Sequence, residues 1–125
     1  MWVARIDAAT SSGRDCALFA THHEIVCGLV WCKLSDTDSG TADIYQMWVD
    51  PAARGSGAGQ ALLDAAVAWA RKRYARRVRL GVTDGDSAAM RLYKRYGFRQ
   101  IGDLESLREG SHLRARTLEL QLGPD

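Results

Sequence analysis

Arg54, Gly55, Gly57 and Gly59 stand where an apolar run, residues 44–49, gives way to a helical pattern. The run stops at Asp50-Pro51, and an Ala/Leu-rich stretch follows from Ala61. Glycines let a backbone approach a phosphate closely. The first turn of a helix carries N–H groups without intrahelical partners, and the helix dipole adds partial positive charge at the same end. Residues 54–60 are therefore expected to cradle a ligand bearing phosphates. Two common cradles fail on spacing. A P-loop requires Lys and then Ser or Thr after its last glycine, but Gln60 and Ala61 follow Gly59. The dinucleotide pattern G-x-G-x-x-G meets Gln60 when counted from Gly55 and Leu62 when counted from Gly57.

The elements that must position this loop are legible on either side of it. Residues 43–49 predict a strand, and from Gly57 to about Tyr74 the positions Leu63, Ala66, Val67, Ala70 and Tyr74 recur at helical spacing as one buried stripe. Residues 78–83 predict the next strand, which makes a right-handed strand-helix-strand crossover with the loop at the carboxyl end of its first strand. A second helix is expected from Asp86 or Ser87, with Ala89, Leu92, Tyr93 and Tyr96 on its apolar face and Gly97 ending it. Upstream, residues 17–21 and 25–34 read as a hairpin joined by His22-His23-Glu24. Residues 2–9 read as a short helix carrying Trp2, Ile6 and Ala9. Residues 98–102 and 113–122 read as a last pair of strands around a polar loop, 105–111. Leu113 and Ala115 fall on the opposite parity to Leu118, Leu120 and Leu122, so a bulge is expected near Arg116.

Bulk properties narrow the function classes. The 125 residues carry 17 Lys and Arg against 15 Asp and Glu, a net charge of +2, which makes no case for nucleic acid. Arg71, Lys72, Arg73, Arg76, Arg77 and Arg79 complement a helix C-terminus and are read as solvated. Cys16, Cys27 and Cys32 lie in apolar stretches without C-x-x-C spacing. They read as reduced core cysteines of a cytoplasmic protein with no metal site. No stretch has the length of a signal-peptide core or a membrane span, so a soluble, unexported protein with no membrane partner is expected. The absence of repeats or a linker predicts a single domain, 1–125.

A second motif lies downstream of the loop. Arg54, Gly57 and Gly59 follow a Val-x-Pro entry at Val49 and Pro51. Asp86, Ala89, Leu92, Tyr93, Gly97 and Phe98 then stand at the spacing N-x-x-A-x-x-L-Y-x-x-x-G-F, with only the first residue changed. In this order the two motifs resemble the GCN5-related N-acetyltransferase (GNAT) superfamily, and the likeness extends more weakly over residues 17–122, including Gly28. The resemblance implies an α/β fold, α+β in some schemes, with a mixed, mostly antiparallel twisted sheet and flanking helices. It also implies an acetyl-CoA-dependent N-acetyltransferase acting on a primary amine of a small molecule or peptide. A non-catalytic acyl-CoA-binding module of the same fold is the alternative.

Site residues follow from the same resemblance. Backbone amides of Arg54, Gly55, Ser56, Gly57, Ala58, Gly59 and Gln60 would hold the pyrophosphate. The pantetheine arm would lie along Met47, Trp48 and Val49, in a gap where that strand splays from 78–83, and a backbone N–H there would polarise the thioester. Arg91, Lys94 or Arg95 would reach the 3′-phosphate, or else be solvated helix cations. Tyr93 would act as general acid toward the departing thiolate, since a phenol is protonated at neutral pH. Asp43 stands where relatives often carry a Glu; it would accept the amine proton directly or through water, or else be a solvated residue. Trp31, Tyr45 and Trp48 either line an acceptor pocket or belong to the core. His22 and His23 are placed at a hairpin tip far from the loop. Asp86 replaces the usual Asn, either weakening an anionic ligand's hold or capping the helix. The family carries a strand and two helices before the hairpin, whereas residues 1–14 supply one short helix. The sheet edge at 17–21 is therefore expected to lie open, or to be covered in a homodimer.

Overall fold

In the computed structural model, residues 5–11, 14–53, 55–83, 87–106 and 114–123 are described. Their chain order is β1 (Arg5–Ser11), β2 (Asp15–His22), β3 (Ile25–Leu34), β4 (Thr41–Val49), α1 (Ala58–Lys72), β5 (Arg77–Thr83), α2 (Ser87–Tyr96), β6 (Arg99–Ser106) and β7 (Arg114–Gln121). The seven strands form one sheet in the order β1-β2-β3-β4-β5-β7-β6. The central pair β4–β5 is parallel and every other neighbouring pair is antiparallel. This is the mixed sheet with a strand-helix-strand crossover that the sequence predicts.

Side-chain period explains why α1 lies on one face of this sheet. Cys16, Ala20, Val30, Cys32, Ala42 and Ile44 alternate inward along β2, β3 and β4 and are all buried. Against them α1 lays Leu62, Leu63, Ala66, Val67 and Ala70. A Cβ on Gly28 would stand 2.9 Å from both Leu62 Cδ1 and the Trp48 carbonyl, so α1 crosses β3 at a distance only glycine permits. A Cβ on Gly59 would stand 2.8 Å from Leu92 Cδ2, so α1 and α2 meet side by side. Of the two sheet faces, the one bearing Trp31, Tyr45 and Trp48 is covered by no helix among the described residues. Tyr45 and Trp48 are exposed there.

Several local expectations change. Residues 5–11 form strand β1 instead of part of a helix, because the edge of β2 offers a row of unpaired backbone groups that outweighs weak helical spacing. The expected open edge at 17–21 is therefore covered within the chain, which removes the reason for expecting a dimer there. Tyr74 is 89 % exposed instead of belonging to the buried stripe. It lies past the end of α1 with φ 61, where the left-handed turn rotates its side chain away from the core. Of the expected loop 105–111, Glu105 and Ser106 belong to β6, and the remainder lies outside the described residues. The irregularity expected near Arg116 falls opposite it. The β6–β7 register shifts between Ile101 and Glu105, while β5 and β7 stay in register through Arg116.

Other expectations hold. His23 and Glu24, with φ 52 and 66, make the tight left-handed connection between β2 and β3. Gly97, with φ 122, ends α2, and its N–H and that of Phe98 both donate to the Tyr93 carbonyl, at 3.1 and 3.0 Å. All three cysteines are buried and free. Burial pushes the Cys32 thiol up to about 12, which keeps it protonated and unreactive. Part of the basic cluster has specific structural partners instead of being solvated. Arg71 donates to the Leu122 carbonyl at 2.8 Å, Arg77 to Thr41 Oγ1 at 2.9 Å, and Arg79 to Asp38 and Glu119 at 2.6 and 2.7 Å.

Candidate active site

The site originates in one extra residue. Trp31 pairs with Gln46 and Cys32 with Ile44, so Tyr45 is inserted into β4 as a bulge. Bulges bend a strand and increase its twist. The parallel pairing of β4 with β5 spans Thr41 to Ile44 against Arg77 to Leu80 and ends at the bulge. Beyond it β4 stays paired to β3 and diverges from β5. The Asp50 N–H donates to the Cys27 carbonyl at 2.8 Å. Ladder alternation along the antiparallel pair then turns the amides of Met47 and Val49 away from β3, into the gap.

That gap opens two adjoining clefts. One, of about 480 Å³, lies between the separated strands, with Tyr45, Gln46, Leu80 and Val82 among its walls. The other, of about 1100 Å³, runs between the start of α1 and the length of α2. Met47, Trp48, Ala89 and Tyr93 border both, so the two are continuous.

The glycine loop forms the floor of the larger cleft. After Val49 the chain turns sharply at Asp50, whose side chain accepts the Ala52 N–H at 2.9 Å and whose carbonyl accepts the Ala53 N–H at 2.8 Å. Ser56 donates from its N–H and its hydroxyl to the Ala53 carbonyl, which tightens the loop. Gly57, at φ 96, precedes α1. The first helical bond runs from the Ala61 N–H to the Gly57 carbonyl, at 2.9 Å, and leaves the amides of Ala58, Gly59 and Gln60 without an intrahelical acceptor. Among the described residues no side chain caps this helix and no acidic residue stands in its first turn. Gly55, Gly57, Gly59 and Gln60 line the cleft. A Cβ on Gly55 or Gly57 would meet nothing within 4 Å, so the loop opens onto free space that an anion can enter. Arg54 and Asp86, both singled out in the sequence, lie outside the described residues.

Helix α2 forms the opposite wall. Tyr93 is 5 % exposed, borders both clefts and meets Phe98 edge-on with ring centroids 5.8 Å apart. Arg91, Lys94 and Arg95 line the outer part of the larger cleft and are exposed. Tyr96 donates its hydroxyl to Asp64 of α1 at 2.7 Å and so ties the two helices together beside the cleft. Burial, reinforced by the adjacent carboxylate, pushes the Tyr96 phenol well above its ordinary range, so it remains a donor. This link has no motif; its only sequence signal is an acid and a tyrosine on helices already expected to pack.

The structure does not bring every candidate to the cleft. Asp43 lies on the paired half of β4, opposite Lys33 and Arg79, and is absent from the described walls. Desolvation raises its carboxyl pKa, Arg79 opposes that rise and Asp38 adds to it. His22 and His23 touch each other at the hairpin tip, with centroids 4.1 Å apart, and border neither cleft. Trp48 and Tyr45 do border the cleft, and Trp31 packs against Tyr45 at 5.2 Å.

A mixed sheet whose central parallel strands separate over the N-terminus of a helix defines an acyltransferase architecture of the GNAT type. The model of the acetyltransferase (GNAT) family matches residues 2–98, and the chain belongs to that family. A mycothiol acetyltransferase of Beutenbergia cavernae is 39% identical over 72 residues, which are 58% of this chain and 24% of the relative. The match thus spans about a quarter of that relative's length. Nourseothricin acetyltransferase superposes with a TM-score of 0.80 at 26% identity, covering 88% of this chain and 66% of that one. An acetyltransferase of Bacillus subtilis, solved in complex with CoA, superposes with a TM-score of 0.77 at 17% identity. That superposition covers 96% of this chain and 99% of the other.

Proposed function

We propose that this chain is an N-acetyltransferase that takes its acetyl group from acetyl-CoA and passes it to a primary amine by direct attack on the thioester. The observation that carries the reading is the continuity of the site. The open β4 edge runs straight onto the uncapped start of α1, and Tyr93 stands in the wall both clefts share. Acetyl-CoA supplies an activated acyl group when bound. The amides of Ala58, Gly59 and Gln60 hold its pyrophosphate, and Met47 and Val49 offer theirs to the pantetheine arm and to the oxygen that gains charge. Arg91, Lys94 and Arg95 are placed to meet the 3′-phosphate. Tyr93 gives its phenolic proton to the departing thiolate. Asp43 acts as proton acceptor only through intervening water, because it borders neither cleft.

Two measurements test the reading. Acetyl-CoA at a hundred times its Kd raises stability by about 2.7 kcal/mol through mass action, so a thermal melt unchanged by acetyl-CoA refutes donor binding. Tyr93→Phe lowers kcat by about a hundredfold if the phenol is the general acid. No carboxylate borders either cleft among the described residues, and this favours the second reading, a module that binds acyl-CoA without turnover. That reading predicts a stabilising shift with acetyl-CoA and no thiol release with any amine.

A further inference from the structure

Resting on the transferase reading, we propose that the acceptor is an amine with a flat apolar body, of the arylalkylamine class, seated on the helix-free face of the sheet. Phe19, Leu29 and Trp48 lie in one cross-strand row, and Trp31 and Tyr45 lie beside it. Tyr45 is 54% and Trp48 44% exposed, and the other three are half-buried. A contiguous apolar patch that stays open to solvent marks a binding surface. This patch is continuous with the site, because Leu29, Tyr45 and Trp48 also border the gap between β4 and β5 where the thioester would lie. An amine lying on the patch would therefore approach the acetyl carbon from the side of the sheet opposite α1 and α2.

Charge narrows the class of amine. Among the described residues the smaller cleft has no charged residue in its walls, and the larger one has Arg91, Lys94 and Arg95. In the described cleft walls a polyamine would find cations and no carboxylate. An amino sugar would bury several hydroxyls against walls in which, among the described residues, Tyr45, Gln46, Trp48 and Tyr93 alone offer side-chain hydrogen-bond partners. The charged groups of the same face stand in the next cross-strand row, Asp15, Lys33, Asp43 and Arg79, where Lys33 also pairs with Asp36 at 3.7 Å and Arg79 with Asp38 and Glu119. An aryl ring, by contrast, gains both area and offset or edge contacts on Trp31 and Tyr45. The same apolar walls disfavour an ammonium ion and lower its pKa. An acceptor that buries its own amine there is more readily deprotonated, in a site without a carboxylate in its described walls. The balanced step is attack by the neutral nitrogen on the acetyl carbon, C–N bond formation, C–S cleavage, proton transfer from Tyr93 to sulfur, and loss of the excess amine proton to water, which returns a proton to the Tyr93 phenolate.

The test uses the full chain with acetyl-CoA and four probes: 2-phenylethylamine, tryptamine, spermidine and glucosamine. Thiol release and product mass are followed, with thermal melts in parallel. The two aryl amines should show kcat/KM at least about tenfold above the others. Tyr45→Ala, at an exposed position, and Trp31→Ala should each raise KM for 2-phenylethylamine by about tenfold. Trp31→Ala, which alters a residue in neither described cleft wall, should retain the shift induced by acetyl-CoA. Equal or better turnover of spermidine or glucosamine overturns the proposal, as does an unchanged KM in Tyr45→Ala. A dimer seen by sedimentation in the parent and lost in Tyr45→Asp overturns it too, since a second copy would then occupy the face. Absence of any acetyl-CoA shift instead overturns the transferase reading, a shift with turnover of spermidine or glucosamine and not of the aryl amines overturns the acceptor assignment alone, and a shift without thiol release from any of the four overturns both in favour of the binding module.

Discussion

The two halves of β4 differ more from each other than β4 differs from its neighbours. From Thr41 to Ile44 the strand is paired on both sides, with Thr41, Ala42 and Ile44 buried. From Gln46 to Val49 it is paired on one side only. Its amides at Met47 and Val49 face a gap, and Gln46 and Trp48 are exposed. One inserted residue, Tyr45, separates the halves. The comparison teaches that a single strand can be core at one end and an open edge at the other. The requirement is that its parallel partner stops where the bulge turns it away. Damage to the first half should therefore appear as lost stability, and damage to the second as altered binding.

The largest expected effect lies on the paired side. Leu118 is fully buried opposite Leu80, which in turn opposes Ile44. Leu118→Ala should cost about 2–5 kcal/mol in urea unfolding; a loss under about 1 kcal/mol would mean the paired half is not the stability centre. Next comes Gly28→Ala, where α1 crosses toward the open half. Its Cβ would press on the Trp48 carbonyl as well as on Leu62, and backbone cannot yield as a side chain does. We expect about 1–3 kcal/mol of destabilisation together with weaker acetyl-CoA binding by calorimetry, because the displaced carbonyl shares its peptide plane with the Val49 N–H that faces the gap. Wild-type affinity in this variant would separate the two roles.

Smaller effects sharpen the comparison. Tyr96→Phe removes the hydroxyl that links α2 to Asp64 and should cost about 1 kcal/mol in unfolding. Because the link borders the larger cleft, KM for acetyl-CoA should rise while kcat with a good acceptor holds; a change confined to kcat would assign Tyr96 a different role. The smallest effect concerns Asp43 and depends on pH. Its folded carboxyl has a raised pKa, so the native state holds its proton more tightly than the unfolded chain does. Its contribution is fully present below the unfolded value and is lost as pH rises through the folded one. Asp43→Asn should accordingly melt higher than the parent at pH 7. The gap should close near about pH 3, where the carboxyl is protonated in both states. A variant less stable at pH 7 would reverse the sign and point to a favourable pairing with Arg79.

Different physics governed what could be read in advance. The helices were legible because Leu63, Ala66, Val67 and Ala70 repeat within a few residues, and the cradle because glycine has conformations that other residues rarely adopt. Strand β1 is not legible locally because residues 5–11 have no strong preference of their own; the edge of β2 decides their state. Tyr74 fits the helical stripe by count, yet the helix stops before it. Asp43 matched a position along the chain, but distance from the cleft depends on where β4 and β5 separate, a property of both strands. The Tyr96–Asp64 link joins residues 32 apart in sequence, beyond any local pattern.

By itself the sequence determined the order of the elements around the glycine loop, the conformational freedom of Gly57 and Gly59, and the likeness that these share with Ala89, Leu92, Tyr93 and Phe98. Those depend on local backbone freedom and short-range spacing. Only the tertiary structure decided that the bulge at Tyr45 ends the β4–β5 ladder, that Tyr93 rather than Asp43 enters the gap, and that Trp31, Tyr45 and Trp48 share an uncovered face. Each of these depends on register between strands distant in the chain, where one residue of shift moves every side chain to the other face.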